Sequence, residues 1–267
     1  VRAQNGAYAC PATCDFGHDP SRIVPTRGIR LAAKPETIAT MRVALRILIV
    51  IVLPLMALTG CKGYEWRQKL TVTIDTPDGP VSGASVMTFR VSDQRSALNP
   101  PEARGVSFTL SGEAVVVQVA PGRYLFALLK GVPSLAERLY PKMDTIESAK
   151  LMEKGPVSPD MEVTLLSSEY PLLVTFDDIN DPASVKRVDP ANLEATFGPG
   201  YRLKGITMAL TKESVTKGKV EKGLPAEFFK RWGSMYRDAL ADGGIMNPFF
   251  KTFAATLGRE SFTTERD

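Results

Sequence analysis

An α+β fold is predicted for residues 61–267, a β-rich meander or sandwich-like N-terminal half packed with several short helices, on three observations. From Lys69 to Leu129 apolar residues alternate with polar ones in short runs separated by Gly and Pro, the period of half-buried strands. From Pro225 to Leu240 the apolar residues instead fall on one helical face. Between them, residues 131–224 mix both patterns. With 44% hydrophobic and 23% charged residues, the chain has the composition of an ordinary globular core and not of a multi-span or wholly disordered protein.

The elements follow in order. Lys69–Thr76 (KLTVTIDT) places Leu70, Val72 and Ile74 on one face of a strand. Pro77-Asp78-Gly79-Pro80 is a turn, and Val81–Val91 returns as a second strand. Val106–Leu110, Ala114–Val119 and Tyr124–Leu129 supply three more, punctuated by Ser111-Gly112 and Pro121-Gly122. Ser134–Tyr140 and Asp144–Lys154 read as short helices, the second stopped by Gly155. Val157–Leu166, Tyr170–Phe176 and Tyr201–Leu210 read as strands. Pro225–Leu240 is the strongest helix: Pro225 suits its N-terminus, Gly243-Gly244 terminates it, and Phe228, Phe229, Trp232, Met235, Tyr236, Ala239 and Leu240 share a stripe. That stripe suits docking on a sheet, with a membrane surface as the alternative, because Lys230, Arg231 and Arg237 lie away from it. The tail from Thr263 is polar and reads as frayed.

Charge separates the N-terminal segment from the rest. Residues 1–60 hold seven of the 33 basic residues and three of the 29 acidic ones, so the remainder carries 26 of each. Nucleic-acid binding needs a surplus of Lys and Arg to neutralise phosphates, and the part expected to fold has none, so no nucleic-acid partner is expected.

Chemistry-bearing residues are distributed as unevenly. The only histidine is His18, and the three cysteines are Cys10, Cys14 and Cys61. A mature protein starting at Cys61 would contain no histidine and no second thiol, which excludes Ser-His-Asp triads, Cys-His pairs, His-ligated zinc and haem, and any internal disulfide. Cys10, Cys14 and His18 are spaced C-x-x-x-C-x-x-x-H but lack a fourth ligand, so they read as chance.

From Met41 the chain reads MRVALRILIVIVLPLMALTGC: a methionine, two arginines, an apolar run from Ile47 to Leu58, small residues, then cysteine. This is the order of a secretory signal. Ile47–Gly60 is shorter than the ~20 residues of a spanning helix, and Pro54 interrupts it. Leu58-Thr59-Gly60-Cys61 resembles the lipobox of bacterial lipoproteins. The resemblance implies cleavage after Gly60, lipid on the Cys61 thiol, and attachment to the cell membrane or outer membrane on the periplasmic side. Three segments are therefore expected: an upstream extension at 1–40 from a misplaced start, a signal peptide at 41–60, and a mature domain at 61–267, β-rich over 69–130 and mixed over 131–261. KLTVTIDTP followed by VSGASV is also similar to uncharacterised proteobacterial lipoproteins. The stretch TPDGPVSGASV with the later APGRYLFALL resembles transthyretin-like or carboxypeptidase-regulatory β-sandwich modules.

Two motifs in the mature part invite chemistry. Asp177, Asp178, Asn180 and Asp181 cluster after a strand, where Ca²⁺ could collect oxygen ligands. The cluster lacks the glycine and distal glutamate of an EF-hand loop, and Asp181 before Pro182 also reads as a helix cap. The same carboxylates could serve a histidine-free, glycosidase-like hydrolase of the envelope. Ser214-Val215-Thr216-Lys217 matches the S-x-x-K of penicillin-recognising enzymes but follows a strand and lacks the companion motifs. Without a convincing catalytic constellation, a non-enzymatic binding or scaffolding module is expected, with no catalytic residues and no required cofactor.

Overall fold

Strands Lys62–Thr76 (β1) and Gly79–Asp93 (β2) pair antiparallel along their whole length, from Lys62 opposite Asp93 to Thr76 opposite Gly79. Only Pro77 and Asp78 separate them, with Gly79 at φ +114° and the Thr76 hydroxyl donating to the Gly79 carbonyl at 2.7 Å. The computed structural model describes residues 62–95, 100–155 and 162–265. In β1 the even-numbered residues Trp66, Gln68, Leu70, Val72 and Ile74 are buried and their neighbours are not, the alternation a one-sided strand requires. The strand begins at Lys62 and not at Lys69. Its first residues do not alternate strongly, but they find pairing partners in Met87–Asp93.

The chain is α+β. Val106–Ser111 (β3) pairs with β2. Val115–Ala120 (β4) and Arg123–Ala127 (β5) then form a hairpin in a second sheet. Helices Leu135–Leu139 (α1) and Thr145–Lys154 (α2) follow, the latter capped by the Asp144 carboxylate, which accepts from the Ile146 amide at 2.9 Å, and ended at Gly155 with φ +104°. Glu162–Thr164 (β6), Leu173–Phe176 (β7), Val185–Arg187 (β8), the helical turn Glu194–Phe197 (α3) and Arg202–Thr211 (β9) lead to the short Val220–Gly223 (α4) and the long Ala226–Ala241 (α5). Pro225 sits at the cap position of α5, one place before the helix. Several 3₁₀ turns close the chain. β8 has no counterpart in the expected strands. Of the strand expected over Val157–Leu166, only the part from Glu162 falls within the described residues.

Two antiparallel sheets result, ordered β3-β2-β1-β9-β6 and β4-β5-β7-β8. Buried residues of both sheets share one core cluster. β4 leaves the neighbourhood of β3 at Gly112, whose φ of +143° turns the chain. β9 returns from far along the sequence to pair with β1. The inner face of β1 and β2, with Ile206 and Met208 of β9, packs against Val117, Leu125 and Leu173 of the second sheet and against Leu135, Ile146 and Met152 of the helices. The two sheets approach closely at Gly83, where a Cβ would lie 2.2 Å from the Val116 carbonyl oxygen. The far face of the second sheet carries Phe126, Val174 and Phe176 into another core with Phe228, Phe229 and Trp232 of α5 and with Phe262. Every residue of β7 is therefore buried, as expected of a strand covered on both sides. The helical stripe docks on this sheet. Met235, Tyr236 and Leu240, at its C-terminal end, stay at least partly exposed.

The tail is not frayed at Thr263. Thr263 is buried and bridges to Glu113, the Ala114 amide donates to the Phe262 carbonyl at 2.7 Å, and the Thr264 amide donates to the Gly112 carbonyl at 3.0 Å. A polar sequence is held there because it completes the hydrogen bonding of a strand edge.

Candidate functional site

The acidic loop is built by the end of β7. Phe176 is the last buried strand residue, and the chain emerges so that Asp177, Asp178, Asn180 and Asp181 are all exposed. Each carboxylate then turns to a different local partner. Asp177 forms an ion pair with Lys186 of β8. Asp178 Oδ1 accepts from the Asn180 amide at 2.9 Å and from Asn180 Nδ2 at 3.2 Å. Asp181 caps the 3₁₀ turn Pro182–Ser184, accepting from the Ala183 amide at 2.9 Å. Ser184 closes the loop, its hydroxyl lying 2.8 Å from the Asp178 carbonyl and 2.7 Å from that of Asp181. Arg231 of α5 donates to the Asn180 carbonyl at 2.5 Å, so the loop also ties the second sheet to the helix. Among the described residues no three carboxylate, histidine or cysteine side chains are grouped to hold a metal ion. The backbone of the loop is satisfied by its own side chains, an arrangement these residue types reach without any ligand.

The S-x-x-K segment is an edge cover. Ser214 is exposed and lies outside any helix. The Thr216 amide donates to the Val86 carbonyl at 3.0 Å, and the Val86 amide donates to Thr216 Oγ1 at 2.8 Å, where β2 runs beyond the reach of β3. Lys217 pairs with Glu265 at 2.6 Å, and the hydrogen bond it donates to that carboxylate raises the lysine pKa. A lysine serving as a general base needs the opposite shift.

Two polar side chains that the sequence did not single out are fully buried and satisfied. Glu113 accepts from three consecutive amides: from Gly218, from Lys219 at 2.9 Å and from Val220 at 3.3 Å, at the entry to α4. Gln68 donates to the Pro133 carbonyl at 2.9 Å and accepts from the Leu135 amide at 3.1 Å, holding the start of α1 against the first sheet. The signal for Glu113 was its place directly before the apolar run AVVV. For Gln68 it was a polar residue in register with Leu70 and Val72. Both belong to the architecture.

A groove of about 530 Å³ lies between α5 and residues 255–260, lined by Phe229, Trp232, Tyr236, Arg237, Arg259 and Glu260 among others. Arg259 stacks over Phe229 at 5.5 Å from the ring centre. Gly60, Cys61, Cys10, Cys14 and His18 lie outside the described residues. No described helix is long and apolar enough to cross a membrane. Comparison with known protein families, curated proteins and solved structures returns no match.

Proposed function

We propose that the chain is a lipid-anchored protein of the cell envelope, tethered through Cys61 and acting as a binding or scaffolding module without turnover. The observation that carries it is the run MRVALRILIVIVLPLMALTGC, in which a basic start, an apolar core, small residues and a lipobox cysteine stand in working order. Lipid on Cys61 would sit close to the folded domain, since β1 begins at Lys62. Two or more acyl chains on one cysteine give firm attachment, at ~0.8 kcal/mol per buried CH₂. The binding role is favoured by the acidic loop, whose carboxylates are engaged separately in an ion pair, a turn and a cap. A glycosidase-like site would instead present two of them across a cleft. A role for Ca²⁺ at Asp177, Asp178, Asn180 and Asp181 stays a subordinate proposal, since it requires these side chains to exchange their present partners.

Intact mass and N-terminal peptide mapping of membrane-extracted protein, beside a Cys61→Ser variant, tests the reading. The expected result is a blocked N-terminus at Cys61 carrying lipid mass, lost in the variant. An unmodified chain retaining residues 1–60 overturns it.

A further inference from the structure

We propose that the turn following α5 is a membrane prong that inserts Ile245 and Met246 into a zwitterionic phospholipid surface. The proposal rests on the envelope-lipoprotein reading for the presence of a bilayer beside the domain, and on the structure for the prong itself.

Ile245 is 79% exposed and Met246 77%, the highest values of any large apolar residues described, and they are adjacent. The turn that presents them is built. Gly243 and Gly244 both have positive φ, +96° and +59°, which lets the chain reverse at the end of α5. Asn247 clamps the far side: its Oδ1 accepts from the Phe249 amide at 2.9 Å and its Nδ2 donates to the Asp242 carbonyl. The turn is also bridged by rings: Tyr236 of α5 meets Phe249 and Phe250 edge to face, at 6.3 and 5.1 Å.

A bilayer suits this shape better than a protein does. A specific protein interface enlists about 20–30 residues a side. The tip offers two protruding side chains, with Tyr236 and Leu240 each 44% exposed nearby in the sequence and Phe249 and Phe250 half-buried, still far fewer than such an interface needs. A lipid surface needs no complementary contour, because apolar side chains gain transfer free energy wherever they leave water. The charges flanking the tip, Arg237 and Lys251 against Asp238 and Asp242, balance. That rim matches zwitterionic headgroups and gives no preference for anionic lipid. Lipid on Cys61 would hold the domain at the surface with no linker before β1, and a second contact would set which face of the domain looks away from the membrane.

The test places an indole at the tip. Membrane-extracted full chain carrying Met246→Trp is reconstituted in phosphatidylcholine vesicles with plain or brominated acyl chains, and the mass at Cys61 is read on the same sample. Trp66 and Trp232 are each only 4% exposed, so they report little. The expected result is an added, blue-shifted emission component, read as the difference from the parent chain, that is largely lost in brominated lipid at low and high salt alike, with the loss abolished when Ile245→Asp is added. Lipid on Cys61 with emission unaffected by bromine overturns the prong and leaves the anchor. Quenching on a chain without that lipid keeps the prong and overturns the anchor. Quenching that disappears at high salt overturns the zwitterionic assignment. Protection of the indole that coincides with dimers in sedimentation, without quenching, replaces the bilayer with a second copy of the chain.

Discussion

The two faces of the β4-β5-β7-β8 sheet meet two different kinds of core. Towards the first sheet the core is mostly aliphatic, with Val117, Leu125 and Leu173 in one cluster with Leu70, Val72, Met87 and Ile206, and Trp66 stacked on Phe89 as its aromatic pair. Towards α5 they are aromatic, with Phe176 edge-on to Phe126 at 5.8 Å, to Phe228 at 5.1 Å and to Trp232 at 6.1 Å. Phe262 joins the same lattice at 5.7 Å from Phe126. Two pleated sheets can interdigitate branched aliphatic residues layer by layer. A single helix leaves wider gaps over a sheet, and large rings fill them while gaining about 0.5–1.5 kcal/mol per edge-to-face pair beyond area burial. The aliphatic core comes mainly from alternating strands. The aromatic one is gathered from segments as distant as Phe126 and Phe262.

The aromatic core is the place to break the molecule most severely. Phe262→Ala removes a fully buried ring that touches Phe126, Phe176, Phe229 and Trp232. It should cost about 3–5 kcal/mol and lower the melting temperature by roughly 10 °C. Hydrogen exchange at the Ala114 amide, which donates to the Phe262 carbonyl, should rise with it. Unchanged protection there would mean that the tail is held by its backbone alone.

On the aliphatic side the sensitive position is a glycine. Gly83→Ala sets a methyl against the backbone carbonyl of Val116, which cannot swing away as a side chain could. The sheets must separate locally, at about 1–3 kcal/mol. A urea midpoint equal to that of the parent would show that the close approach at Gly83 is not required.

The smallest effect lies outside both cores. Asp93 accepts from Arg95 through the side chain, at 3.0 and 3.2 Å, and through the backbone amide at 3.0 Å, which holds its carboxyl below the ordinary 3.8. A depressed carboxyl contributes stability above its unfolded pKa and loses that contribution as pH falls through the folded value. Asp93→Asn should therefore melt slightly earlier than the parent at about pH 7, and the difference should close between about pH 5 and pH 2. A difference that grows on acidification would contradict the assignment.

The strands around Leu70, Val86 and Val117 were legible because alternation is a local property that any one-sided strand must show. The cap at Asp181 was legible too, since Asp before Pro carries its own partner two residues on. The start of β1 and the whole of β8 were not, because pairing with other strands creates them. Glu113 and Gln68 look like ordinary surface residues until their partners arrive, at sequence separations of 105 and 65. The acidic loop was found by composition. Its internal division of labour was not, because the direction of each carboxylate depends on Ser184, Lys186 and Arg231.

By itself the sequence determined the α+β class, the periodic faces of its main strands and long helix, the L-T-G-C run at 58–61 that resembles a lipobox, and the lack of any histidine or second cysteine from Cys61 onward. All of these are properties of neighbouring residues or of composition. Only the tertiary structure decided that the second sheet would be covered on both faces, that polar residues from Ser261 to Glu265 would close a strand edge, and that Ile245 and Met246 would be left outside. Those outcomes depend on which surfaces win the competition for burial, and that competition is settled between segments far apart in the chain.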